Sequence, residues 1–292
     1  GNPAIRSMTP TLVPFELLPS AIALRSTVFQ GVVVVGPAAG GLLFALGPEV
    51  VYVTGAALML VAVAFVVPMR RRSVEEAPFA IGGSRLAGLL AGLRFVRRTP
   101  VLLGAISLDL VAVLFGGAVA LLPVFARDVL DVGPVGLGVL RSAPAVGALL
   151  AGIMLTRRPL RGLAGRKLLV VVAVFGASMV VFGLSHSFPL SFVALAVSGF
   201  ADMISMNIRS MITALATPDA LRGRVNAVEM VFISASNELG AFESGAAAAL
   251  VGAVPAVVIG GSLTILCALV WPRLFPQMAR IDRLESLRPA PS

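Results

Sequence analysis

Long apolar runs, separated by short stretches that hold most of the charge, constrain this chain more than any other feature. A run of about 20 apolar residues is what crosses the ~30 Å hydrocarbon layer of a bilayer. Eight such spans can be marked, at 21–47, 50–67, 101–126, 135–156, 168–184, 188–216, 225–252 and 255–274. In lipid each backbone polar group has to be satisfied within its own segment, so the spans are expected to be helices. The expected fold is therefore an all-α, polytopic membrane protein with eight transmembrane helices. Composition agrees: 58% of residues are hydrophobic and 13% charged, against about 25% charged in a soluble domain. The one cysteine, Cys267, lies inside an apolar run. It reads as a packing residue and leaves no internal disulfide or multi-cysteine metal site. No cofactor or metal is expected.

Basic residues set the expected orientation. Arg70, Arg71, Arg72, Arg85, Arg94, Arg97 and Arg98 lie between spans two and three. Arg157, Arg158, Arg161, Arg166 and Lys167 lie between four and five, Arg222 and Arg224 between six and seven, and Arg273, Arg280, Arg283 and Arg288 after eight. The alternate loops hold Glu49, then Arg127 with Asp128 and Asp131, then His186. Cytoplasmic loops carry the excess of Lys and Arg, so both ends of the chain are placed in the cytoplasm, in a plasma membrane. The net charge of +9 belongs to this bias and suits anionic lipid headgroups. No basic stripe interleaved with aromatics points to nucleic acid. Within the linker 68–100, Leu86, Leu89, Leu90, Leu93 and Val96 recur at helical spacing among arginines. That predicts an amphipathic helix on the inner leaflet, capped by Ser84 and stopped before Pro100.

The chain also repeats itself. Residues 13–67 and 217–272 both run from a proline and an acidic residue into a long apolar helix, a glycine-rich stretch, a break and a second apolar helix. Pro14 pairs with Pro218, Phe29 with Phe232, Gly47 with Gly252 and Gly55 with Gly260. Four further spans precede the second copy and none precedes the first. The expectation is a parallel repeat of six spans whose first copy lacks its first four, an arrangement known in transporters. The chain divides accordingly: 1–67 as the last two helices of one half with a preceding loop, 68–100 as the linker, 101–275 as the other half, and 276–292 as a tail.

Three motifs carry a resemblance. Gly36-Pro37-Ala38-Ala39-Gly40-Gly41 lies mid-span, where glycine permits close helix approach and proline loosens the helix. Thr156–Lys167 is a basic loop, and Pro218-Asp-Ala-Leu-Arg222-Gly223-Arg224-Val225 is a basic turn. Together they resemble the major facilitator superfamily over residues 1–276. The first resembles that superfamily's exporter motif on helix five of twelve, with Val32 standing where the motif has a further glycine. The stretches 122–130 and 136–144 resemble a bacterial branch that contains the enterobactin exporter and macrolide-efflux proteins. The resemblance implies that the eight spans are helices five to twelve. It assigns Gly36, Pro37, Gly40 and Gly41 to the antiporter motif and gives Arg166, Arg222 and Arg224 gating contacts on the cytoplasmic side.

Charged and polar residues within the spans are the candidate pathway residues: Asp109, Arg141, Asp202, Arg209, Asn237, Glu238 and Glu243. A charge at the bilayer centre costs roughly 3 kcal/mol even on a lenient scale, so it persists where it faces a cavity or a partner. Asp109 lies ~12 Å along its span from the cytoplasm, and Asp202 and Glu238 ~20 Å along theirs. The alternative for Asp202 is a structural pair with Arg209 or Arg141. Span seven carries polar residues over more than half its circumference and is expected to line an aqueous pathway. The expected function is secondary transport: proton-coupled efflux of a small amphipathic molecule by alternating access, not an enzymatic reaction. Its expected partners are that substrate, protons, the bilayer and the missing N-terminal helices. An importer on the same fold, or a transport-inactive membrane sensor or assembly protein, is the rival.

Overall fold

The computed structural model of the chain describes residues 18–66, 85–157 and 162–281. Residues 1–17, the first part of the linker with Ser84, Arg158, Arg161 and the tail beyond Ile281 lie outside these residues. The regular elements among the described residues are all helices. They belong to two units, one formed by 1–82 with 134–142 and the other by 83–133 with 143–292.

The first unit holds α1 (Leu18–Ala45) and α2 (Pro48–Val66). They are separated at Gly47, whose φ of +130° is open to a residue without a Cβ. The same device recurs in the second unit. There α8 (Asp219–Val251) gives way to α9 (Ala253–Leu274) at Gly252, with φ of +92°. Gly47 and Gly252 are a pair that the sequence repeat aligned, and both break a long helix from the next.

The second unit continues with α3 (Arg85–Arg98), α4 (Pro100–Phe115), α5 (Gly133–Arg157), α6 (Ala164–Leu184), α7 (Phe188–Ala216) and the short α10 (Pro276–Ala279). The first part of α5 belongs to the first unit. The core gathers Val96 of α3, Leu102, Ala105 and Leu108 of α4, Leu168 of α6, Ile208 and Ile212 of α7, Val225 and Val228 of α8, and Trp271 of α9. The α6–α9 pair is packed backbone to backbone: a Cβ on Gly176 would lie 2.7 Å from the Gly261 carbonyl oxygen, and the converse distance is the same. Trp271 Nε1 donates to the Gly104 carbonyl at 2.9 Å, tying α9 to α4.

Three expectations need correction. The span at 101–126 is not one continuous helix. It breaks at Gly116–Gly117, and residues 118–129 follow as a 3₁₀ turn, a short α turn and a π turn. At this break the backbone runs too close to α8 for a side chain, a Cβ on Gly117 meeting Ser244 Oγ at 2.7 Å and the Gly240 carbonyl at 3.0 Å. Next, α8 begins at Asp219, so the LRGRV sequence expected as a loop is its first turns. Pro218 precedes the helix, and nothing after it stops helix formation. The amphipathic helix α3 is present, but its buried face lies on protein. A Cβ on Gly92 would meet the Arg224 carbonyl at 2.7 Å, and Val96 is buried in the core. Of the eight expected spans, six correspond, among the described residues, to helices long and apolar enough to cross a membrane: 48–65, 100–129, 133–157, 164–184, 188–216 and 253–274. The span at 21–47 lies partly on side chains outside those described, and its described apolar stretch is Val35–Ala45. The span at 225–252 lies in α8, which carries Glu229, Glu238 and Glu243.

Candidate functional site

Three of the charges in the apolar helices, Asp109, Asp202 and Arg209, are brought together at one place. Asp109 on α4 and Arg209 on α7 form an ion pair whose side chains are 10% and 6% exposed. Two helices rich in Leu, Val and Ile thus bury one opposite charge each. Apart, each charge would be costly in an apolar medium, and together they are tolerable. The sequence offers Arg209 or Arg141 as a structural partner for Asp202, and the structure pairs Arg209 with Asp109 instead. Asp202 lies about two helical turns from Arg209 on α7. With Asp109 and Ser205 it lines a cavity walled by Ala112, Val113, Val171, Val172, Phe175 and Ala201. About 10 Å³ there is open to the centre of a water molecule, enough for one. Position 205 follows 202 by three and 209 follows by seven, which puts all three on one face of α7.

The remaining candidates are more dispersed. On α8, Ser234, Asn237 and Glu238 are exposed, Glu229 and Glu243 half-buried, and Ser236 and Ser244 buried. The buried hydroxyl of Ser236 is satisfied within the helix, donating to the Phe232 carbonyl at 2.6 Å. Arg141 on α5 is exposed, as are Arg166, Arg222 and Arg224. Arg222 Nη2 donates to the Ala214 carbonyl at 3.5 Å, so this guanidinium reaches back over the end of α7. Sequence reasoning missed two buried threonines, Thr213 in the last turn of α7 and Thr217 just beyond its end, at 3% and 2% exposure.

The glycine-rich motif resolves into one packed position and two open ones. A Cβ on Gly41 would lie 2.8 Å from Gly138 Cα, so α1 and the start of α5 touch backbone to backbone. A Cβ on Gly36 or Gly40 would meet nothing within 4 Å among the described residues.

Comparison with known proteins gives this geometry its setting. A family profile described as Transmembrane secretion effector matches residues 1–291. The chain is 28% identical over 272 residues to the multidrug efflux pump Tap of Mycolicibacterium fortuitum, covering 91% of this chain and 65% of that protein. It is 28% identical over 296 residues to the enterobactin exporter EntS of Escherichia coli, covering 97% and 70%. It is 37% identical over 168 residues to y4rN of Sinorhizobium fredii, an uncharacterised transporter of major facilitator type, covering 53% and 40%. The chain therefore spans from less than half to about two thirds of the length of these relatives.

Proposed function

This chain belongs to the transmembrane secretion effector family of the major facilitator superfamily, and we propose that it works in the proton-coupled efflux of a small amphipathic molecule. It is a multi-pass membrane protein whose relatives are transporters, not enzymes. The observation that carries the coupling reading is the buried Asp109–Arg209 pair beside the cavity shared with Asp202 and Ser205. An ion pair between two apolar helices is a switch with two chemical states. Paired with Arg209, Asp109 is a carboxylate. Released from it into a confined cavity, the carboxyl can carry a proton instead. Alternating access then couples that change to rocking of one half against the other.

The other assignments follow from the same reading. Asp202, Asn237, Glu238, Glu243 and Arg141 line the route of substrate or proton, and α8 crosses the membrane despite its charges because it faces that route. Arg166, Arg222 and Arg224 make cytoplasmic gating contacts. The motif Gly36, Pro37, Gly40 and Gly41 takes the place of helix five, α2 that of helix six, and the six spans from α4 to α9 those of seven to twelve. The Gly47–Gly252 correspondence supports this register. Both ends of the chain lie in the cytoplasm.

The test uses the protein as its gene encodes it, in everted membrane vesicles with an imposed pH gradient and ethidium as an amphipathic probe. Gradient-driven ethidium accumulation, with matching proton release, is expected for the wild type. Asp109→Asn is expected to exchange the probe without accumulating it. Uphill accumulation by a well-folded Asp109→Asn protein would remove Asp109 from coupling, and probe movement in the opposite direction would make the protein an importer.

A further inference from the structure

The helix α3 has two faces, and among the described residues protein covers only one of them. Gly92 packs against the Arg224 carbonyl, and Val96 is buried in the core. The other face carries Leu90, Arg94, Arg97 and Arg98, all exposed, beside half-buried Leu93. At 100° per residue these five fall within about 140° of the helix surface, centred about 150° from the Gly92–Val96 side. They line an open recess of about 350 Å³, the size of a small-ligand site. None of the three guanidiniums has a carboxylate partner among the described residues.

Composition and position narrow what the recess can hold. Its lining is two leucines and three arginines, hydrocarbon stems ending in cations. An inorganic anion would use the cations and leave the leucines wet. An apolar ligand would leave the cations without a counter-charge. A ligand with an anionic head and a hydrocarbon body uses the whole surface. Position says where such a ligand comes from. α3 ends at Arg98 and α4 starts at Pro100, with Thr99 alone between them. α4 opens the stretch 100–129, which is long and apolar enough to cross a membrane. The arginines therefore stand where a spanning helix enters the bilayer, which is the headgroup layer. Arg97 and Arg98 follow Arg94 by three and four residues, the spacing of neighbours on a helix surface. The three can thus meet one phosphate, which a guanidinium binds in a two-point fork.

We propose that the outer face of α3 binds one anionic phospholipid, with its phosphate on Arg94, Arg97 and Arg98 and its glycerol and first acyl carbons on Leu90 and Leu93. The lipid is one with a net negative headgroup, such as phosphatidylglycerol. Phosphatidylcholine carries the same phosphate but adds a choline cation, which three guanidiniums disfavour. On the orientation drawn from the arginines, the lipid belongs to the cytoplasmic leaflet, whose anionic headgroups attract basic segments beside a span. α3 is then held twice, by α8 on one face and by lipid on the other. The site stands apart from the Asp109–Arg209 pair and does not depend on what the protein transports.

The gene-encoded protein is purified in a neutral detergent, delipidated, and given equal amounts of phosphatidylglycerol and phosphatidylcholine. Native mass spectrometry then counts the lipid bound to each variant. The wild type is expected to retain one phosphatidylglycerol in preference to phosphatidylcholine. Arg94→Gln, Arg97→Gln and Arg98→Gln should each weaken it about fivefold, the share of one arginine at an anionic surface, and the triple change should abolish the preference. These side chains are exposed, so unfolding midpoints should stay near that of the wild type. Arg127→Gln, at the far end of the same span and paired with Asp128, should bind as the wild type does. Changing all three arginines to lysine keeps the charge and loses the fork, and should give intermediate binding. Wild-type binding by the triple lysine protein would reduce the site to diffuse charge attraction and overturn it. A folded triple glutamine protein that still prefers phosphatidylglycerol overturns it too. Displacement of the lipid by inorganic phosphate would make this a site for free phosphate instead. Retention of neither lipid by the wild type would hand the face to an acidic protein segment, and the proposal would fall.

Discussion

Gly41 and Gly138 meet backbone against backbone: a Cβ on Gly41 would lie 2.6 Å from the Pro134 carbonyl oxygen, and one on Gly138 would lie 2.6 Å from the Pro37 carbonyl oxygen. Neither carbonyl can yield as a flexible side chain could. Gly41→Ala and Gly138→Ala are therefore expected to cost ~1–3 kcal/mol each, as overpacked contacts do. Gly36→Ala and Gly40→Ala meet no atom within 4 Å among the described residues. They should be neutral or slightly stabilising, because alanine is the better helix former. Thermal unfolding in one detergent ranks the four. Equal losses at all four positions would show that the motif acts by some means other than this contact.

The buried pair gives a second expectation. Asp109→Leu alone leaves Arg209 buried without its partner, and Arg209→Met alone leaves Asp109 so. Each single change should destabilise by ~3–5 kcal/mol, while the double change should recover most of that loss. A double-mutant cycle on unfolding midpoints measures this directly. Additive losses would mean that the two side chains do not depend on one another. Asp202→Asn should be mild by comparison, since Asp202 is exposed and Arg209 is already paired.

Much of the helical frame was legible in the sequence because lipid allows few alternatives. Apolar runs of membrane length have to be helices, and the repeat marked Gly47 and Gly252 as breaks before any backbone angle was known. Partnership was harder to read. Asp109 and Arg209 are one hundred residues apart, and rise per residue gives depth but not facing. Asp202 shares a helix with Arg209 and was therefore the nearer guess. The break at Gly116–Gly117 was hidden for a related reason. Its cause is Ser244 and Gly240 of α8, which no local pattern announces. The docking of α3 failed similarly, since an amphipathic stripe looks the same whether lipid or α8 covers it.

That docking carries a third expectation. Gly92 faces the Arg224 carbonyl at 2.7 Å and Val228 Cγ2 at 3.1 Å, counted from the position of an added Cβ. Gly92→Leu should push α3 off α8 and destabilise the protein by ~1–3 kcal/mol. Leu90 lies on the outer face at 51% exposure, so Leu90→Gln should stay within about 0.5 kcal/mol of the wild type in detergent. Protease cleavage after Arg94 or Arg97 offers a structural readout. It should be accelerated in Gly92→Leu only. Equal cleavage in both variants would mean that α3 is not held by α8.

The last expectation decides whether α8 crosses the membrane. Its 33 residues would extend ~50 Å as a straight helix, ample for a bilayer. Its carboxylates are the reason to doubt it, and the proposed aqueous route is the reason to accept it. Ser187 precedes α7 and Arg280 follows α9, and both are exposed. Three crossings between them put the two residues on opposite sides, while two crossings put them on the same side. In a Cys267→Ala background, Ser187→Cys is expected to react with an impermeant maleimide in intact cells. Arg280→Cys is expected to react only after the membrane is opened. Labelling of both from outside would take α8 out of the membrane, and with it Asn237, Glu238 and Glu243 out of the pathway. Labelling of Arg280→Cys alone would invert the orientation drawn from the arginines and place the Thr217 end of α7 outside the cell.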